Sequence, residues 1–159
     1  MRNKKVLFVT RAAMIAAIYV VLNVVFAAFG TKAIQVRLAE ALTILPIFTG
    51  AAVPGLFVGC LLSNLLVGGI MPDVIFGSLA TLIGAVGTYK FRKVHPLFGT
   101  LPPILSNSII IPFVLRYGYG EPLPIPYMML TVGIGEIISC GILGMLLYMI
   151  LKPVASRIF

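Results

Sequence analysis

The chain has 159 residues, of which 60% are hydrophobic and 10% charged, with a formal net charge of +8. Soluble globular chains carry about 25% charged residues, so this composition excludes an ordinary soluble domain and points to a polytopic membrane protein. The basic residues are dispersed or flank apolar segments, so they act as topology signals and do not make a nucleic-acid surface.

The first apolar segment runs from about 6 to 29 and follows Arg2, Lys4 and Lys5. It is too long for the core of a signal peptide, and a retained membrane helix is expected. The second, about 38 to 48, is short and contains Pro46. A tilted, kinked or partly re-entrant element is expected there. The third covers about 54 to 70, and the fourth about 73 to 89, ending at "KFRK". The fifth covers about 101 to 115, with "LPP" at its start and Pro112 near its end. The sixth runs from about 127 to 151. The fold expected is an all-α integral membrane protein, a single compact bundle of six transmembrane helices filling residues 1–159.

An even number of crossings puts both termini on one side. Arg2, Lys4, Lys5, Lys90, Arg92, Lys93, Lys152 and Arg157 share that side, whereas Lys32, Arg37 and Arg116 lie opposite. By the excess of Lys and Arg on the inner side, both termini are expected to be cytoplasmic. The outer loops are then about 30–37, 69–72 and 116–126.

There are four acidic residues, Glu40, Asp73, Glu121 and Glu136. Glu136 stands in "VGIGEIIS", ~14 Å into the sixth segment at 1.5 Å per residue. A charge at the centre of a membrane helix costs about 2.5–3.5 kcal/mol on insertion scales. A compensating partner or ligand is therefore expected. Arg37, Glu40, Asn64, Asp73, Ser78 and Asn107 all fall with Glu136 in the outer half of the expected topology. This pattern suits a polar substrate pocket open to the outside, and not a continuous pore. Each residue also has a structural alternative. Glu136 can pair with Arg37 or Asn107, Glu40 with Arg37, and Asp73 can cap the fourth helix. Asn64 and Asn107 can join helices. Glu121, in "GEPLPIP", is expected to be solvated.

Small residues form two stripes. Ala12 with Ala16, and Ala13 with Ala17, are four apart on the first segment. They allow close approach of another helix, from this bundle or from a partner. Gly55, Gly59 and Ser63 repeat the spacing and are expected to pack internally.

There is no G-x-x-x-x-G-K-[ST] phosphate loop, and "GIGEII" lacks the third glycine of a dinucleotide fingerprint. His95 precedes Pro96 in an expected cytoplasmic turn and reads as a solvated loop residue. Cys60 and Cys140 lie inside apolar segments without metal-ligand spacing and read as structural thiols. Hence no enzyme, no cofactor and no metal site is expected.

The stretch "QVRLAEALTILPIFTGAAVPGLFVGCLLSNLLVGG", followed by "DVIFGSLATLIGA", closely resembles the QueT family. "VRLAEALTILP" and "DVIFGSLATL" carry the resemblance, while Gly50 departs from the proline expected there. The family comprises substrate-binding S subunits of energy-coupling factor transporters, which import queuosine precursors. The resemblance implies a six-helix subunit without its own ATPase. It would bind a 7-deazaguanine near the outer surface and dock on a transmembrane coupling subunit attached to two ATPases. It assigns docking to the Ala12, Ala13, Ala16 and Ala17 patch. A guanine-type edge presents two adjacent donors that a carboxylate accepts, and an oxygen to which an Asn can donate. Tyr127, Phe76 or Tyr119 could stack on the base. The alternative is a self-sufficient proton-coupled carrier in which Glu136 exchanges the proton. The alanine patch and the apolar inner half favour the S subunit.

Overall fold

The computed structural model describes residues 3–26 and 36–159. The end of the first expected segment, Lys32 and most of the loop expected at 30–37 lie outside the described residues, as does Arg2. Every regular element among the described residues is helical. Helix α1 spans Lys4–Phe26, and a 3-10 helix spans Leu38–Ile47. Helix α2 spans Ala52–Leu66, α3 Met71–Phe91 and α4 Pro96–Phe113. A π-helical turn, Val114–Gly118, extends α4. Helix α5, Ile125–Glu136, runs through a π-helical stretch, Ile137–Leu143, into α6, Gly144–Leu151. A short α7, Ala155–Ile158, follows.

Four of these runs are long and apolar enough to cross a membrane: Lys4–Phe26, Met71–Phe91, Pro96–Gly118 and Ile125–Leu151. The 3-10 helix and α2 are shorter. Ten residues of 3-10 helix rise ~20 Å, and 15 residues of α-helix ~22 Å, against a hydrocarbon core of about 30 Å. The second segment is thus neither a simple span nor an α-helix, and Pro46 lies inside it.

The 3-10 helix is the centrepiece. It packs against α1, α2, α3, α4, α6 and the π stretch of Ile137–Leu143. Ala39, Glu40 and Leu42–Pro46 are buried there. Ile15 and Tyr19 of α1, Leu42 and Leu45, Leu56 and Cys60 of α2, and Ala85 of α3 form one apolar cluster around it.

The alanine stripes divide. Ala16 is buried and Ala12 half-buried, whereas Ala13 and Ala17 are exposed. A Cβ at Gly55 would lie 2.7 Å from the Ala12 carbonyl oxygen, and one at Gly59 3.1 Å from the Ala16 Cα. So α1 and α2 meet through the Ala12–Ala16 face and the Gly55–Gly59 face. Close helix packing inside the bundle, one of the two roles the spacing allowed, thus engages Ala12 and Ala16. The expected internal role of Gly55 and Gly59 is what the structure shows.

The fifth segment begins at Pro96, not near 101. His95 is its N-cap, with Nδ1 accepting from the Leu97 N–H at 3.3 Å. Pro102 and Pro103 lie inside the helix, seated on glycines of α3. A Cβ at Gly87 would fall 2.3 Å from the Pro102 Cβ, and one at Gly84 2.7 Å from the Pro103 Cα. The prolines thus fill notches in a neighbour and do not start the helix.

Candidate functional site

Two departures from α-helical geometry meet at the centre of the bundle. One is the 3-10 helix carrying Glu40; the other is the π stretch that begins directly after Glu136. The two elements pack on each other. Long 3-10 runs are uncommon, and π-helical insertions recur at functional sites. Here they bring two carboxylates together in an apolar bundle.

Glu40 is 1% exposed and Glu136 4% exposed. One ligand atom from each, with the Sγ of Cys140, all lie within 4.8 Å of one another. The Tyr19 hydroxyl donates to Glu40 Oε1 at 2.5 Å. Glu40 Oε2 is buried without a hydrogen-bond partner. The Cys140 thiol is 3.1 Å from Glu136 Oε2 and 3.5 Å from the Glu40 carbonyl oxygen. Thr43 Oγ1 is 2.6 Å from that carbonyl and 3.3 Å from Cys140 Sγ. Asn107, 3% exposed on α4, lies beside both carboxylates.

Arg37 precedes the 3-10 helix, and its backbone N–H donates to Ser139 Oγ at 3.1 Å. This bond pins the start of the 3-10 helix to the π stretch. The Arg37 charge acts on Asp73, Tyr19, Glu40 and Cys60. Arg37, Glu40, Asn107 and Glu136 therefore converge as four of the seven residues expected to bind substrate.

Asp73, Asn64 and Ser78 sit differently. Asp73 lies in the first turn of α3, while the N-cap position is Ile70, so Asp73 is not the cap. Its Oδ2 accepts from the Tyr119 hydroxyl at 2.9 Å. Burial, then the neighbouring Asp73, hold that hydroxyl above its usual range, so it remains a donor at neutral pH. Asn64 Nδ2 reaches the Asp73 carbonyl at 3.3 Å, joining α2 to α3. Ser78 Oγ donates to the Val74 carbonyl of its own helix at 2.5 Å. Asp73 is linked to the carboxylate pair through the charge of Arg37; Ser78 is occupied within α3.

The aromatic candidates do not line the cluster. Phe76 and Tyr127 are about half exposed on the outer surface. Phe76 borders an apolar groove of about 450 Å³ with Pro72, Ile109 and Tyr117, and neither Glu40 nor Glu136 lines it. The aromatic ring at the cluster is Tyr19, which the sequence reading did not select. Cys140 was also passed over. Its signal was its place four residues after Glu136, a spacing that puts side chains on one helical face. Two carboxylates and a thiol at this separation could also hold a small cation, although no metal site was expected.

Four apolar crossings around a buried set of carboxylates, an amide and a thiol make this a multi-pass membrane protein. The QueT transporter family matches residues 9–153, and the chain belongs to that family. It is a membrane transport protein. No curated protein and no solved structure matches it.

Proposed function

We propose that the chain is the substrate-capture S subunit of an energy-coupling factor importer for a queuosine precursor of the 7-deazaguanine class. In this reading residues 1–159 form one membrane domain of six membrane segments, four long and two short, with both termini cytoplasmic. The subunit is not an enzyme. It docks on a transmembrane coupling subunit bearing two ATPases.

The observation that carries the reading is the meeting of Glu40, Glu136 and Asn107 in the middle of the bundle. Carboxylate oxygens accept the adjacent N–H donors of a guanine-type edge, and an amide donates to its oxygen. Arg37 and Asp73 stand next to that set. Family membership supplies transport, and the site supplies groups that match this ligand class. Docking falls to the exposed Ala13 and Ala17, because Ala12 and Ala16 are engaged with α2.

One experiment tests both halves. The tagged chain is purified from its native membrane, and the preparation is titrated with a 7-deazaguanine precursor. Co-purification of a coupling subunit and ATPases, with saturable binding, is the expected result. A chain that arrives alone, and transports in proteoliposomes on a proton gradient, would establish the self-sufficient carrier instead.

A further inference from the structure

Arg11 is a cation inside an apolar crossing. It lies in α1 one turn beyond Leu7, half-buried, and has no hydrogen bond or ion pair among the described residues. A charge in such a segment is retained only where something offsets it. Arg11 opens on a groove of about 310 Å³. One wall is Leu7, Thr10, Arg11, Met14, Ile15 and Ile18, which recur every three or four residues and so share one stripe of α1. Leu45 of the 3-10 helix, Leu151 of α6 and Phe159 face them. Phe159 is held in place by stacking on Phe48, with ring centroids 5.9 Å apart. Ala13 and Ala17 fall outside this stripe, and Ala12 and Ala16 face α2, so the groove is a third and separate face of α1.

We infer that this groove holds a phospholipid with an anionic headgroup, its phosphate on Arg11 and an acyl chain along the apolar walls. Charge and length carry the assignment. None of Glu40, Asp73, Glu121 and Glu136 lines the groove. Exposed Lys4 and Lys5 begin α1, and exposed Lys152 and Arg157 lie at the end of α6 and in α7, so the mouth is ringed by cations. From Leu7 to Ile18 helix α1 rises ~16 Å, about half of a 30 Å hydrocarbon core. The groove thus runs the depth of one leaflet. Arg11 starts ~6 Å below Leu7, a distance its long side chain covers by extending toward the headgroups. There its guanidinium can grip a phosphate with two parallel N–H donors. A partner helix would cover the apolar walls but leave the Arg11 charge unmatched, whereas a phospholipid serves both. A phosphatidylcholine headgroup brings its own cation, which the lysines at the mouth repel; an anionic headgroup does not. The site is independent of what the subunit carries.

The full chain, purified in detergent, is titrated with dioctanoyl phosphatidylglycerol or dioctanoyl phosphatidylcholine, and bound lipid is counted by native mass spectrometry. Phosphatidylglycerol should bind about tenfold more tightly, and Arg11→Gln should remove most of that preference. Lys93→Gln, outside the groove, should change it by no more than about twofold. Met14→Trp fills the groove while keeping every charge. It should weaken binding of phosphatidylglycerol as well, and it gives a second reading should Arg11→Gln fail to fold. Equal wild-type affinity for the two lipids would overturn the site. Equal loss of preference in Lys93→Gln and Arg11→Gln would reduce it to diffuse attraction at the basic end and overturn it too. Displacement of the lipid by an equal concentration of inorganic phosphate would leave a bare anion site with no role for the acyl chain. In nanodiscs containing phosphatidylglycerol, Thr10→Cys should be shielded from a maleimide. Shielding that requires the bound coupling subunit would give the groove to that protein and contradict the lipid.

Discussion

Tyr19 of α1 donates its hydroxyl proton to Glu40 Oε1 at 2.5 Å, with both side chains buried. The bond joins the helix that bears the exposed Ala13 and Ala17 to the element that bears the carboxylate. It also removes one acceptor oxygen from competition and leaves the other free. Tyr19→Phe should destabilise the protein by about 1–3 kcal/mol, because a buried acceptor loses its donor. The coupling with Glu40 should appear in a double-mutant cycle with Glu40→Gln, read by thermal unfolding in detergent. Strictly additive effects would show that the contact contributes nothing.

The two alanine stripes should respond in opposite ways. Ala16→Trp must displace α2, where Gly59 already lies against the Ala16 backbone. Overpacking of this kind costs about 1–3 kcal/mol or more, and the yield of folded protein should fall. Ala13 is exposed, so Ala13→Trp should leave folding and ligand affinity intact while abolishing uptake by the assembled transporter. Normal uptake by inserted Ala13→Trp protein would remove this face from docking.

The proline notches of α3 give a purely structural expectation. A Cβ at Gly87 would lie 2.3 Å from Pro102, whereas one at Gly141 meets nothing nearer than 3.8 Å. Gly87→Ala should therefore cost about 1–3 kcal/mol, and Gly141→Ala well under 1 kcal/mol. Thermal unfolding of the two variants side by side checks the order, and equal stability would mean that α3 and α4 separate easily.

Orientation can be read with thiol reagents. Cys60 and Cys140 are buried, so the native background should be low. Cysteines placed at Lys4, Lys93 and Arg157 should be protected from an impermeant reagent in intact cells, and one at Glu121 should be labelled. The opposite pattern would invert the topology and turn the Tyr119 loop toward the cytoplasm.

Much of this arrangement is legible in the sequence because charge is so expensive in a membrane. Glu40, Asn107 and Glu136 stand out against apolar neighbours, and the structure brings them together. Tyr19 and Cys140 do not stand out. A tyrosine and a cysteine are ordinary occupants of buried apolar helices, and only tertiary packing shows what their polar atoms touch. The helix start at Pro96 is hidden in the sequence for a related reason. Pro102 and Pro103 look like breakers in one dimension, but their rings settle onto Gly84 and Gly87 of another helix. The 3-10 and π geometries were equally hidden, since apolar periodicity does not distinguish them over ten residues or fewer. Splitting the alanine patch required knowing which face α2 covers.

Calorimetric titration of monodisperse Glu136→Gln, beside Glu121→Gln and the wild type, tests the central assignment most directly. Gln keeps the size of Glu136 but loses its charge and puts a donor where a ligand donor must pair. The loss should be about 2–3 kcal/mol, roughly 30- to 150-fold in affinity. Glu121 lies in the loop between α4 and α5, where its backbone carbonyl accepts from Arg116, and its replacement should change little. If Glu136 merely holds the bundle together, the variant will lose thermal stability without ligand yet bind normally once folded. Affinity equal to the wild type in the folded Glu136→Gln protein would contradict the assignment and move the binding site to Glu40 and Asp73.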